Sequence, residues 1–284
     1  MHTTSSGRRP VPLLRAPTAL AGLAAALFVL FTSPARLSAT WSILAVDIST
    51  GRLVIASATC VPQARFREIP AAGLMNVQAV VVPGRGVAAA QAAADRTLTN
   101  QSVIATELGA GTDPRLILDL LRQDPSIGQR QFGILDLTGR AVGFTGADNG
   151  AAALARQGRV AGTDVYYAVQ GNILASDAVV LTAVRALEST DGDLLDRVMA
   201  AMEAADEAGG DRRCSCETAP RPTAPCDGKN AHVAYLLAAD RTDSVERPLL
   251  YLDVTDENIR PDENANPVIT LRMRFDAWRQ RPGA

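Results

Sequence analysis

The chain has 284 residues, with 28 basic and 30 acidic side chains and a formal net charge of −2. This length is sufficient for one large domain with a substantial core, or for two small domains. The slight acidic excess argues against nucleic acid and anionic membrane surfaces as partners, because both attract basic proteins.

The first 39 residues have the pattern of an export signal. Three arginines precede an uninterrupted apolar run at residues 19–31, which is shorter than the roughly 20 residues that a membrane-spanning helix needs. Cleavage is predicted after Ala39, with Ala35 as the alternative, and the Arg8-Arg9 pair leaves a twin-arginine signal open. We therefore expect an exported protein, periplasmic or extracellular, with no stable membrane span after cleavage.

Removal of the leader, residues 1–39, leaves residues 40–284 as a single predicted domain. The leader holds four arginines and no acidic residue, so the remaining 245 residues have 24 basic and 30 acidic side chains, a net charge of −6. No internal linker divides them.

Short β-prone runs come in consecutive pairs along this domain. Residues 41–46 and 53–59 predict a hairpin around an Asp-to-Gly turn, and the same pattern recurs at residues 131–146. Paired neighbouring strands favour antiparallel sheets. The further predicted strands cover residues 74–82, 162–169, 231–238, 248–254 and 268–274.

Helices are predicted between these groups, where apolar residues recur at three- and four-residue spacing. They cover residues 100–110, 114–123, 175–188 and 193–208. Strand pairs that alternate with helix pairs predict an α+β fold, a four-layer α-β-β-α sandwich with antiparallel sheets. We expect residues 40–46 in a central strand and the last two helices together on one outer face.

The four cysteines favour disulfides, because an exported chain meets oxidising conditions. Cys214 and Cys216 are separated by one residue and would close a strained ring. Each is therefore expected to pair with a different partner, Cys226 or Cys60. A rival hypothesis takes the last three cysteines together with His232 as a zinc set.

Four motifs resemble a known family. The stretches TWSILAVDISTGRL, FGILDLTGRAVGFTGA, YYAVQGNIL and AGGDRR occur in the order and approximate spacing of the family called domain of unknown function 1028 (DUF1028). That family is similar to the N-terminal-nucleophile (Ntn) hydrolases, which implies the four-layer sandwich and a nucleophile at the first residue of the mature chain. The chain departs from the family pattern at about residues 214–228, which we interpret as a Cys/Pro-rich insertion tied to Cys60.

The resemblance makes Thr40 the predicted nucleophile. Cleavage before it would expose an α-amine whose pKa of about 7.7–8.0 leaves a neutral fraction able to take the hydroxyl proton. His232 is the only histidine after the leader, and no serine or cysteine near it has a recognisable setting, so a Ser-His-Asp triad is disfavoured. The plainer interpretation is that Thr40 only begins a strand.

Other candidates have a polar side chain beside a predicted strand or turn. They are Asn172 and Asp211 for catalysis, and Ser57, Gln91, Gln170 and Arg212 for substrate binding. Asn172 and Gln170 are placed to stabilise an oxyanion, Asp211 to hold a protonated amine, and Arg212 to bind a carboxylate. Each also has an ordinary interpretation as a turn, cap or ion pair.

The predicted function is therefore an exported amidohydrolase that cleaves a small-molecule or peptide amide through a threonyl acyl-enzyme. The alternative is a non-catalytic binding or structural module of the cell envelope on the same fold. No glycine-rich phosphate loop follows a strand, so no nucleotide cofactor is indicated. Formation of a homo-oligomer is left open.

Overall fold

The computed structural model describes residues 1–3, 40–67, 73–218 and 220–282. Apart from residues 1–3, the predicted leader lies outside these described residues, and so do both candidate cleavage positions. The fold belongs to the compact unit Ala35–Ala284.

The strands of the described residues form two sheets, and every pairing within them is antiparallel. The strands are β1 (Thr40–Asp47), β2 (Arg52–Thr59), β3 (Ala79–Val82), β4 (Gly86–Ala92), β5 (Arg130–Asp136), β6 (Ala141–Thr145), β7 (Leu154–Arg159), β8 (Val165–Asn172), β9 (Val233–Ala239) and β10 (Leu250–Val254). One sheet has the order β10-β9-β2-β1-β8-β7, and the other has the order β3-β4-β5-β6. The predicted central position of β1 and its pairing with β2 are confirmed.

Seven α-helices lie within the described residues, which together with the sheets confirms the mixed α+β class. They are α1 (Gln63–Phe66), α2 (Leu74–Gln78), α3 (Thr99–Ala110), α4 (Pro114–Leu121), α5 (Ala178–Ser189), α6 (Leu194–Glu207) and α7 (Pro267–Arg279). Helices α5 and α6 pack against each other and against the six-stranded sheet, as predicted. Helices α3 and α4 pack against the four-stranded sheet.

Three apolar clusters fill the spaces between these elements. Ile43 belongs to the cluster between the six-stranded sheet and α5 and α6, whereas its neighbour Leu44 belongs to the cluster between the two sheets. Successive side chains of a strand point to opposite faces, so β1 contributes to both clusters. A third cluster, which includes Ile117, joins the four-stranded sheet to α3 and α4.

The two predicted hairpins share one turn chemistry. The Asp47 carboxylate accepts from the Ser49 amide at 2.9 Å, and the Asp136 carboxylate accepts in the same way from the Thr138 amide at 2.9 Å. Each turn then reaches a glycine in the left-handed region, Gly51 at φ 80° and Gly139 at φ 84°. An aspartate that bonds the backbone two residues on and a glycine that tolerates positive φ explain the repeated pattern.

The strand predicted at residues 268–274 is wrong, because this segment is part of helix α7. Asn266 caps the helix by accepting from the Val268 amide at 3.0 Å, and a proline occupies the first helical position. Val268, Leu271 and Phe275 are buried at helical spacing. The β-branched start of the segment favours a strand locally, but the cap and the buried face determine a helix.

Three other differences concern short or atypical strands. The predicted strand at residues 74–82 is helix α2 followed by β3. Strand β4 was not predicted, because its sequence GVAAAQA is rich in alanine, which has a low β propensity. Strand β7 was not predicted either, since LARQGR is polar, partly exposed and without alternation.

Two disulfides connect the four cysteines, Cys60 with Cys214 and Cys216 with Cys226. This pairing agrees with the expectation that Cys214 and Cys216 have different partners, and it leaves no thiolate for the rival zinc set. Within the described residues no group of three or more His, Cys, Asp or Glu side chains is arranged to hold a metal ion. The disulfides are compatible with an exported protein. None of the described helices is long and apolar enough to span a bilayer.

Candidate functional site

One end of the layer between the two sheets is polar. Thr40 lies opposite Thr59 of β2 and Asn172 of β8, and Ser42 lies opposite Ser57 and Gln170 of the same strands. Residues two apart on a strand share a face, and directly opposite residues are neighbours on it. These side chains therefore form one continuous polar surface that faces the four-stranded sheet.

Thr40 is only 3% exposed, and its hydroxyl and its carbonyl oxygen both form hydrogen bonds. Its hydroxyl donates to Thr59 Oγ1 at 3.3 Å, and its carbonyl oxygen accepts from Gln91 Nε2 at 3.2 Å. Thr59 Oγ1 also accepts from the Val61 amide at 3.2 Å. The long bond from Thr40 leaves its hydroxyl proton weakly held.

A directed chain of hydrogen bonds runs beneath Thr40. Tyr235 Oη donates to Gln78 Oε1 (2.8 Å), Gln78 Nε2 to Gln91 Oε1 (2.8 Å), Gln91 Nε2 to Gln131 Oε1 (2.7 Å), and Gln131 Nε2 to the Gly171 carbonyl (2.9 Å). A backbone carbonyl can only accept, so the last bond fixes the orientation of all three amides. Burial raises the pKa of Tyr235 far above its usual value, which keeps its hydroxyl a neutral donor.

The hydroxyl groups of the two serines beside Thr40 already donate short hydrogen bonds. Ser42 Oγ donates to Gln91 Oε1 at 2.6 Å, and Ser57 Oγ donates to the Trp41 carbonyl at 2.6 Å. Both bonds are shorter than the one from Thr40 to Thr59. Among these three hydroxyls, Thr40 has the proton that is most easily given to a base.

Gln170 is a fully buried amide without a partner. Neither its oxygen nor its nitrogen has a hydrogen-bond partner among the described residues. It packs over Gly133 of β5, where a Cβ would collide with the Gln170 amide. Leaving a buried amide unbonded destabilises the fold by about 1–3 kcal/mol, so a bonding partner for Gln170 would be stabilising.

Backbone strain is found next to two of these side chains. Ala92 follows Gln91 at φ 74°, and Ile173 follows Asn172 at φ 53°. Residues other than glycine rarely occupy the left-handed region, and such strain accumulates at functional sites. Strand β4 thus ends at a strained residue, Ala92, and β8 is followed by one, Ile173.

Asp211 is fully buried but bonded elsewhere. Its carboxylate accepts from the Cys60 amide at 2.8 Å and from Arg213 Nη2 at 2.7 Å, and none of its recorded bonds reaches Thr40. These contacts and the Cys60–Cys214 disulfide fix the chain just after Thr59. Arg212 is exposed, and it does not line the cavity described next.

A cavity of about 30 Å³ opens beside Thr40. It is lined by Thr40, Thr59, Val61, Phe66, Leu74, Val77, Gln78, Ala90, Gln91, Ala92 and Ala94. No titratable side chain is among these residues. A base for the Thr40 hydroxyl is therefore not supplied by a side chain of the described lining.

His232 is not among the described residues that line the cavity. Its backbone amide donates to the Thr59 carbonyl at 2.7 Å. Burial, assisted by the nearby Lys229, lowers the pKa of the imidazole and keeps it neutral.

A second, larger groove lies at the other end of the layer. It has a volume of about 590 Å³, and its lining includes Tyr166, Arg140 and Arg159. Arg140 pairs with Asp136 and Arg159 with Asp164, so these two charges are neutralised within the protein. This groove contains no arrangement comparable to the one at Thr40.

The structure thus brings Thr40, Ser57, Gln91, Gln170 and Asn172 to one polar end, whereas Asp211 and Arg212 make no recorded contact with Thr40. Sequence reasoning missed Ser42, Gln78, Gln131 and Tyr235, and it considered Thr59 on the second strand without retaining it as a candidate. The hairpin register was a signal for Thr59, since it places Thr59 opposite Thr40. The glutamines and Tyr235 gave no local signal.

Comparison with known proteins assigns the family. A family model described as "Family of unknown function (DUF1028)" matches residues 40–220, which is more than half of the chain. The chain belongs to the DUF1028 family. The DUF1028 match begins at Thr40, the residue that also begins β1.

A solved structure supports the same architecture. The chain is similar to protein SPO2555 from Silicibacter pomeroyi, whose crystal structure is described with the same DUF1028 family model. The TM-score is 0.62 at 23% sequence identity, over 86% of this chain and 91% of that chain. At this identity the likeness shows a shared fold. No curated protein matches the chain.

Proposed function

We propose that this DUF1028 protein is an exported hydrolase of the N-terminal-nucleophile type, which cleaves an amide bond through Thr40 after removal of residues 1–39. The observation that carries the proposal is the setting of Thr40. Its hydroxyl lies beside a cavity whose described lining contains no titratable side chain. An α-amine on Thr40 itself is then the base that the hydroxyl requires.

The arrangement of layers supports the same class. Two antiparallel sheets face each other, helices cover their outer faces, and β1 begins at the polar end between the sheets. We propose that this is the four-layer sandwich of the Ntn type. In that class the first residue of the mature chain is the nucleophile, and the DUF1028 match begins at Thr40.

The reaction follows from the chemistry of these groups. The neutral α-amine takes the proton of Thr40 Oγ1, and Oγ1 attacks the amide carbon of the substrate. Asn172, directly opposite Thr40, and Gln170 are the proposed oxyanion donors; both are buried behind the cavity lining, so the substrate must reach them from Thr40. The carbon–nitrogen bond then breaks, the ammonium gives its proton to the leaving amine, and water hydrolyses the threonyl ester.

Asp211 remains a predicted catalytic residue, but its contacts support a different role. By binding the Cys60 amide it holds the chain after Thr59, which in turn accepts from Thr40. We propose that Asp211 positions the second hydroxyl of the site rather than the amine.

The first test is the N-terminus of the protein recovered from the exported fraction. A chain that begins at Thr40 is expected, as determined by N-terminal sequencing and intact mass. A chain that retains residues before Thr40 has no free amine at this position and would refute the proposal.

The second test is covalent labelling of that chain with p-nitrophenyl acetate. Thr40→Ala is expected to abolish ester-linked acetylation at residue 40, and Thr40→Ser to retain part of it, because serine keeps a hydroxyl beside the same amine. Thr99→Ala, a threonine on α3 outside the cavity lining, is the matched control and should label like the wild type. Equal labelling of wild type and Thr40→Ala would favour the non-catalytic envelope module instead.

A further inference from the structure

The walls of the cavity beside Thr40 are apolar. Valine, phenylalanine, leucine and alanine side chains surround it, and its polar residues are two threonines and two glutamines. No described lining residue carries a charge. The chemistry of the walls therefore favours an uncharged group.

The polar atoms of the two glutamines in the lining are all bonded within the protein. Gln91 Oε1 accepts from Ser42 and Gln78, and Gln91 Nε2 donates to the Thr40 carbonyl and to Gln131. Gln78 Oε1 accepts from Tyr235, and its Nε2 donates to Gln91. Both polar atoms of Gln91 are thus engaged twice, so a ligand would have to break this chain to bond Gln91.

The volume of the cavity limits the size of its occupant. A water molecule needs about 10–15 Å³ of such volume, so a cavity of about 30 Å³ holds about two water-sized groups. A methyl or ethyl group fits this space, whereas a longer chain exceeds its volume.

On the basis of the proposed function, we propose that this cavity receives the acyl side of the substrate and selects short, uncharged aliphatic acyl groups, acetyl or propionyl. A carboxylate-bearing acyl group is disfavoured, because no lining side chain is cationic and the only amine beside the cavity, that of Thr40, must be neutral to act as the base. A longer chain is excluded by the volume.

The test uses p-nitrophenyl esters of acetic, propionic, hexanoic and succinic acid on the chain that begins at Thr40. Attack by Thr40 Oγ1 forms an ester with the acyl group and releases p-nitrophenolate, while the proton of the hydroxyl passes to the α-amine. Release of p-nitrophenolate and the mass of the acylated chain are measured, and the rate of Thr40→Ala is subtracted. The wild type should react with the acetyl and propionyl esters roughly 10- to 100-fold faster than with the hexanoyl or succinyl ester.

Two variants enlarge the cavity. Phe66→Ala and Val77→Ala should each raise the hexanoyl rate relative to the acetyl rate, by about 10-fold for the larger deletion, and leave the succinyl ester excluded. Val77→Ala removes less volume and keeps the test valid if Phe66→Ala does not fold. Phe144→Ala, on β6 outside the cavity lining, makes the same chemical change elsewhere and should preserve the wild-type preference.

The outcomes separate this inference from the proposed function. If Thr40 is acylated equally fast by all four esters, or if neither enlarged variant changes the chain-length preference, the assignment of the cavity is overturned while the nucleophile stands. If no ester acylates Thr40, both proposals are overturned.

Discussion

The layer between the two sheets has two ends that differ in chemistry although the same strand passes through both. On the inward face of β1, Thr40 and Ser42 belong to the polar end, and Leu44 and Val46 belong to the apolar end, where both side chains are fully buried. Packing alone would be satisfied by apolar side chains throughout. Polar side chains in the same buried layer are expected where chemistry requires them.

The two ends are also stabilised differently. At the apolar end the free energy of folding comes from removing side chains such as Leu44 and Leu53 from water. At the polar end each buried group needs a partner, and the chain from Tyr235 to Gly171 supplies partners across five structural elements. A polar substitution at the apolar end and an apolar substitution at the polar end should therefore both lower the free energy of unfolding, for different reasons.

The largest effect is expected for Leu44→Gln, which places an amide in the apolar end. The variant loses buried apolar surface and gains a polar group without a partner, so the free energy of unfolding should fall by about 4 kcal/mol or more. Urea denaturation measures this loss. Leu116→Gln, on an exposed position of α4, is the control and should change stability by about 0.5 kcal/mol or less.

The next effect is expected for Gln91→Leu, which places an apolar side chain in the polar end. Ser42, Gln78, Gln131 and the Thr40 carbonyl each lose a hydrogen bond, so stability should fall by about 3 kcal/mol although leucine is the more hydrophobic residue. The exposed Gln157→Leu is the matched control. Similar small changes in both variants would mean that the two ends do not differ as described.

Asp206 on α6 is a buried acid with one oxygen bonded to Asn266 and the other without a partner among the described residues. Burial raises the pKa of Asp206 from 3.8 to about 6. The folded state therefore binds more protons than the unfolded state between these values, so the stability contributed by this group falls as pH rises from about 4 to about 6.

Asp206→Asn should remove this dependence and stabilise the protein by about 2 kcal/mol at neutral pH, with little effect below pH of about 4. The difference in unfolding free energy between variant and wild type should increase through that pH range and then level off. The neighbouring exposed Glu207→Gln is the control and should show no such increase. A difference that is constant with pH would contradict the assignment to Asp206.

The smallest effect is expected for Tyr235→Phe, which removes only the first donor of the chain. Gln78 Oε1 loses its partner while the other bonds remain, so stability should fall by about 1 kcal/mol. Tyr251→Phe on the exposed side of β10 is the control. A loss as large as that of Gln91→Leu would show that the chain acts as one cooperative unit.

Local chemistry made part of this structure predictable. The two hairpins follow from an aspartate and a glycine in each turn, and helix α4 follows from Asp113, which accepts from the Arg115 amide at 2.9 Å, and the proline after it. Thr40 was identifiable as the start of a β-strand and, through the family motifs, as a candidate nucleophile. The separate pairing of Cys214 and Cys216 also followed from their spacing.

The sequence by itself therefore determined the elements whose signals lie within a few residues: the hairpins, the long helices, the antiparallel class and the position of Thr40. Residues 268–274 form a helix through a local cap at Asn266 and through a buried face that exists only where the sheet and α6 cover it, and the second of these is a tertiary effect. The tertiary structure also decided the polar chain beneath Thr40, whose bonds join residues as far as 157 positions apart. The residues next to a glutamine in the sequence do not indicate such a partner, because the hydrogen bond becomes necessary only when the side chain is buried in the assembled layer.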